Sequence, residues 1–104
     1  MRQTRVSSGQ RRLIHLMQEI RYGLIEGLVV SGGQPIFETE PVVVWDIKIG
    51  AHRAQTKIYP DQELKAQVLE LLSNLERLGD GKVRRLEVQN GLPFRIQIER
   101  RAGA

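Results

Sequence analysis

The side chains able to do chemistry are few. The chain holds no cysteine and two histidines, so a thiol nucleophile, a disulfide framework and a cysteine-based metal centre are excluded. His15 and Glu19 stand at i and i+4, a spacing that could supply half a metal site on one helix face. His15, however, falls among Arg11, Arg12 and Gln18, away from the apolar positions of that stretch. His52 lies in GAHRAQTKI with no acid close in sequence. Both read as ordinary surface histidines. Ser7, Ser8, Ser31 and Ser73 have capping, turn or helix-surface explanations. Gly32 and Gly33 precede a strand pattern rather than a helix, which makes them turn glycines and not a phosphate loop. The reading is of a non-enzymatic chain with no catalytic residue, metal ligand, cofactor or small-molecule substrate indicated.

Binding chemistry is better represented, and it is basic. Residues 1 to 12 carry Arg2, Arg5, Arg11 and Arg12 and no acid. Residues 13 to 81 carry six basic and ten acidic side chains, and residues 82 to 104 carry six basic and two acidic. The formal net charge of +4 therefore gathers at the two ends. A basic tail suits nucleic acid or another polyanion; it equally suits a solvated start that aids solubility. Trp45 and Tyr59 are the aromatics that could stack on bases, but aromatics are too sparse for a stacking platform. Trp45, flanked by alternating aliphatics, reads as core.

The stretch GKVRRLEVQNGLPFRIQI, residues 81 to 98, carries the sharper signal. It reads as a hairpin whose outer face shows Arg85, Glu87, Arg95, Gln97 and Glu99, with Lys82, Arg84, Arg100 and Arg101 close by. Two registers are open. A three-residue loop of Gln89-Asn90-Gly91 sets Arg85 opposite Arg95, a like-charge pair that a phosphate would relieve. A register moved on by one pair, with Asn90-Gly91-Leu92 as the loop, sets Glu87 opposite Arg95 and leaves a salt-bridged surface. Arg85 opposite Gln97 would remove the motive for an anion site.

These residues are positioned by what reads as a duplicated unit. Residues 23 to 37, GLIEGLVVSGGQPIF, overlay the hairpin without a gap and share Gly23 with Gly81, Leu28 with Leu86 and Val30 with Val88. They also share Gly33 with Gly91 and Pro35 with Pro93. Ile25 and Leu28, like Val83 and Leu86, lie an odd number of positions apart yet both ask for the core. A β-bulge near Glu26–Gly27 and another near Arg84–Arg85 would reconcile them. On the outer face the first copy differs, with Val29 and Phe37 where the second has Glu87 and Arg95. Val42 and Val44 add to this apolar surface, so the four mark an interface or a patch covered by another part of the chain.

Around the copies the elements follow from spacing. Residues 1 to 9 read as a disordered basic tail, and Ser7 with Gln10 has capping-box spacing. Leu13, Leu16, Met17 and Ile20 make one apolar helical stripe that Gly23 stops. VVVWDIKI, residues 42 to 49, alternates as a strand with Val43, Trp45, Ile47 and Ile49 on one face. Residues 50 to 60 read as a loop and Asp61 as the cap of a second helix. That helix has Leu64, Val68, Leu71, Leu75 and Leu78 inward, and Gly79 and Gly81 close it. The predicted class is α+β, in the order α-β-β-β-α-β-β. It is a single domain over 10 to 100 with repeat units near 10 to 37 and 61 to 98, an antiparallel sheet and two helices on one face. Residues 101 to 104 should fray. No apolar run reaches the length of a membrane span and no signal-peptide pattern opens the chain, so the expected setting is soluble and cytoplasmic.

The helix followed by YGLIEGLVVSGGQPI resembles the small bacterial proteins of the YezD-like family, short helix-plus-hairpin units with a Tyr-Gly, an alternating strand and a glycine turn. The resemblance covers residues 13 to 37 and, in degenerate form, 71 to 98. That family has no established activity, so it implies a fold and no site residues. Two roles follow from the residues themselves. One is a nucleic-acid-binding accessory protein using the tail and the basic hairpin. The other is a protein-interaction or homo-oligomerisation module using Val29, Phe37, Val42 and Val44.

Overall fold

A computed structural model of the chain describes residues 7–50 and 66–101. The first helix, α1 (Ser8–Ile20), starts where local chemistry dictates. Ser7 Oγ accepts from the Gln10 backbone N–H at 3.1 Å, and Gln10 Oε1 accepts from the Ser7 N–H at 3.0 Å. Two donors that a helix start leaves orphaned are thereby satisfied. The capped turn pulls residues 8 and 9 out of the expected tail and into the helix. Ser7→Ala is expected to cost about 1 kcal/mol, read as a lower urea midpoint, while Ser8→Ala at the neighbouring exposed position should be near neutral. Equal effects from the two would show that the cap is not Ser7. The helix ends at Ile20 and not at Gly23. Arg21 is the C-cap, with φ 67°, and donates to the Met17 carbonyl at 3.0 Å.

Among the described residues six strands follow in a single antiparallel sheet: β1 (Tyr22–Glu26), β2 (Leu28–Ser31), β3 (Gln34–Ile36) and β4 (Val42–Trp45), then β5 (Gly81–Gln89) and β6 (Leu92–Glu99) after helix α2 (Ala66–Leu78). The class is α+β, and the order α-β-β-β-β-α-β-β has one strand more than expected. The extra strand is the predicted phase break. Gly27, at φ 78°, divides one long strand into β1 and β2 and donates to the Val83 carbonyl at 3.0 Å. Ile25 pairs with Leu86 and Leu28 with Val83, so the breaks in the two central strands face each other and cancel. The register is unchanged on either side, and all four side chains point into the core. A second irregularity, between Val83 and Arg85, lies on the β5–β6 side.

Both helices cover one face. Leu13, Ile14, Met17 and Ile20 of α1 and Val68, Leu71, Leu72, Leu75 and Leu78 of α2 form one buried cluster with Ile25, Leu28, Val30, Val83, Leu86 and Val88. Ile14 joins the predicted stripe, while Leu16 is only partly buried. Asp61 and Leu64 lie outside the described residues.

The hairpin turns depart from the sequence expectation. Ser31 pairs with Gln34 and Gln89 with Leu92, leaving two-residue turns of Gly32-Gly33 and Asn90-Gly91. All four central residues have positive φ, between 56° and 79°, the mirror-image turn whose twist matches the flanking strands. Three-residue loops would carry Ile36 and Phe94 to the inner face. Instead Pro35 is buried opposite Val30, and Phe94 bulges outward, 56% exposed, where the register shifts between Glu87 and Val88. Each turn docks on the end of the helix that is distant from it in sequence. Gly33 N–H donates to the Gly79 carbonyl at 2.7 Å, and Gly91 N–H to the Arg21 carbonyl at 3.0 Å. A Cβ on Gly33 would sit 3.1 Å from Glu76 Cα, so glycine serves both the left-handed φ and the close approach.

Candidate interaction surface

With both helices on one side, the sheet's other face carries no helix among the described residues. Register places its side chains in three rows that run from β3 and β4 across to β6. One row is Val44, Leu24, Glu87, Arg95; the next is Ile36, Val29, Lys82, Glu99. The third is Val42, Glu26, Arg85, Gln97, with Arg85 Nε 3.9 Å from Glu26 Oε2. Every row is apolar at the β3–β4 side and charged or polar towards β6.

The charged half is balanced, not basic. Lys82, Arg85 and Arg95 face Glu26, Glu87 and Glu99, and Arg84 Nε lies 3.4 Å from Glu99 Oε1. Glu87 is opposite Arg95 and Arg85 opposite Gln97. The Arg85–Arg95 juxtaposition that motivated an anion site does not exist, because the two-residue turn and the one-residue bulge at Phe94 together advance the register by one pair. Other arginines are engaged elsewhere. The Arg12 guanidinium carbon lies 4.6 Å from the centroid of the Phe37 ring. Arg100 donates to the Leu78 carbonyl at 3.4 Å, serving the end of α2. Arg12, beside Phe37 on the helix side, and Arg85 and Arg95, on the open face, are separated by the sheet. Arg11 and Arg101 are exposed; Arg2 and Arg5 lie outside the described residues.

Of the four proposed interface residues, Val29, Val42 and Val44 are on the open face. Phe37 is not: it packs against the buried cluster beneath Arg12. The residue after Ile36 falls on the helix side, where α1 approaches β3 closely enough that a Cβ on Gly9 would lie 2.5 Å from the Pro35 carbonyl oxygen. Val42 is 58% and Val44 41% exposed.

The strand 42 to 49 is paired over half its predicted length. Asp46 N–H donates to the Tyr22 carbonyl at 2.8 Å, and there β1 ends, because the preceding residues belong to α1. Beyond that point the alternation has no partner strand among the described residues. Trp45, read as core, is therefore 48% exposed, Ile47 70% and Ile49 90%. His52, Tyr59 and the rest of the expected 50 to 60 loop after Gly50 lie outside the described residues.

The sheet's two lateral edges differ. β6 carries Pro93, the bulge at Phe94, and the charges of Arg95 and Glu99, the devices that blunt an edge against further pairing. β4 is Val-Val-Val-Trp, with no charge and no proline inside it, and its described neighbour is β1 alone. Sequence reasoning missed this edge. The signal was present in the unbroken β-branched run, but alternation alone gives no place in the strand order. No family model, curated protein or solved structure matches the chain.

Proposed function

We propose that this chain is a non-enzymatic protein-interaction module that docks its partner along β4 and the apolar ends of the adjoining rows. The observation that carries the reading is an uncharged edge strand, with Val42 and Val44 exposed on the open face and Trp45, Ile47 and Ile49 exposed on the helix side, on a sheet whose opposite edge is guarded. Exposed contiguous apolar surface of this kind marks an interface, and an open edge adds backbone hydrogen bonds to it. The polyanion reading retains the four arginines of residues 1 to 12 and loses the hairpin, whose arginines lie among acids. The same proposal takes the helix–hairpin units as copies that diverged on the open face. Its support is the pair of facing phase breaks and the reciprocal docking of turns on helix ends.

Val42→Lys with Val44→Lys tests the reading, since edge lysines oppose strand addition. Sedimentation velocity and affinity capture from the source host's extract should both lose association in the double variant. Its urea midpoint should drop by no more than about 1 kcal/mol, both sites being exposed strand positions. Arg85→Ala with Arg95→Ala should leave association intact. Undiminished association in the double-lysine variant sinks the reading. A salt-steep gel shift on duplex or single-stranded probes would favour the polyanion alternative.

A further inference from the structure

Resting on that reading, we infer that the partner at β4 is a second copy of this chain, paired antiparallel through residues 45 to 49 with Ile47 facing Ile47 across a twofold axis. The register follows from backbone direction and charge. Asp46 is opposite Tyr22 and bonded to it, so even-numbered residues of this strand turn their N–H and C=O groups towards β1. Val43 and Trp45 turn theirs outward; in the single chain the strand ends at Trp45 and Ile49-Gly50 form a turn, so pairing extends residues 46 to 49 and gives Ile47 and Ile49 the same direction. An added strand must meet outward groups with outward groups, which confines Ile47 to odd-numbered partners.

Charge then selects among the registers that remain. With Ile47 opposite itself, Asp46 stands opposite Lys48 of the other copy, and the symmetry makes that pair twice. One step in either direction sets Asp46 against Asp46 or Lys48 against Lys48, both unfavourable directly across strands. The same register pairs Trp45 with Ile49 on the helix side of the sheet. It gathers side chains that are 48%, 70% and 90% exposed into one apolar row. The charges lie together on the other side. A sequence that alternates as a strand beyond the end of its own sheet partner thus completes that strand against itself.

The absence of cysteine makes the test direct. In an antiparallel ladder the Ile47 pair is of the hydrogen-bonded kind, with Cα atoms about 5.5 Å apart, within disulfide reach. Full-length Ile47→Cys should therefore oxidise to a covalent dimer. Ile49→Cys, whose copies would stand four strand positions apart, roughly 13 Å, should not. Sedimentation of the natural chain over a concentration series should show a monomer–dimer equilibrium. Asp46→Lys should weaken it roughly tenfold, and Asp46→Lys with Lys48→Asp should restore it. All these positions are exposed, and circular dichroism checks that each variant folds.

A chain that stays monomeric throughout the series overturns the inference. So does equal cross-linking at 47 and 49, or no rescue by the double swap. A monomer that nonetheless captures another protein, and loses it with Val42→Lys and Val44→Lys, overturns self-pairing while leaving the proposed function standing. A monomer whose capture survives those lysines overturns both.

Discussion

Leu86→Ala should be among the most damaging single truncations in this chain, lowering stability by about 3 kcal/mol. Leu86 is fully buried in β5, paired with Ile25 of β1 on one side and Ile96 of β6 on the other. β5 is the strand that both halves share, since β1, β2 and β6 all pair with it. Removing three carbons there forfeits transfer free energy and leaves a void that the flanking strands, held by their own ladders, can close only in part. A domain of this size has about 5–15 kcal/mol in total, so the midpoint of thermal unfolding should fall by roughly 15 °C. Leu69→Ala is the control. It lies on α2 but is 49% exposed, and should change stability by less than about 0.5 kcal/mol. Urea denaturation of the two variants decides the matter. A loss under about 1 kcal/mol for Leu86→Ala would mean that the sheet around it relaxes freely, contrary to close packing.

Leu86 also marks how far the sequence could be read. Its inward orientation was legible because Leu86 and Val83, like Leu28 and Ile25, ask for one face at an odd spacing, and only an irregular strand grants that. The start of α1 was legible for a similar reason, since Ser7 and Gln10 interact within one turn. Turn length was not. Pro35 and Ile36 are both apolar, so parity alone could not say which faces inward. The arrangement adopted has each turn glycine bonded to the opposite helix end, Gly33 to Gly79 and Gly91 to Arg21. That is a contact between distant parts of the chain, with no local trace. Of the two arginine registers the salt-bridged one stands, with Glu87 opposite Arg95, but it is reached through a two-residue turn and a one-residue bulge at Phe94 rather than an Asn90-Gly91-Leu92 loop. The alternation of residues 42 to 49 forms a strand over Val42–Trp45 alone. What it could not reveal is that β1 stops at Tyr22 and leaves the second half without a pairing strand among the described residues, so that Trp45, expected in the core, is exposed along with Ile47 and Ile49.

That edge hangs on Gly23, and Gly23→Ala should remove it. A Cβ on Gly23 would run into the Val44 carbonyl and lie 3.0 Å from Ile20 Cγ2. Ile20 is buried in the core and cannot yield cheaply. The side with freedom is β4, which has β1 as its described neighbour and contributes only Val43, partly buried, to the core. The least costly relief is for β4 to move off. The total loss should be about 1–3 kcal/mol, the usual range for forcing a methyl into a packed site. The distribution matters more than the total. In hydrogen exchange the amide of Asp46, bonded to the Tyr22 carbonyl, should lose its protection, while the amides of β5 fall only by the global change. Gly27→Ala separates this clash from backbone strain. Gly27 has φ 78°, yet nothing lies within 4 Å of a Cβ placed there, so it should cost about 1–2 kcal/mol through conformation alone and spare β4. If the edge is where partners dock, Gly23→Ala should also abolish association at concentrations where Gly27→Ala, of similar stability, still associates. Retained association in a Gly23→Ala chain whose Asp46 amide exchanges freely would place the docking surface somewhere other than β4.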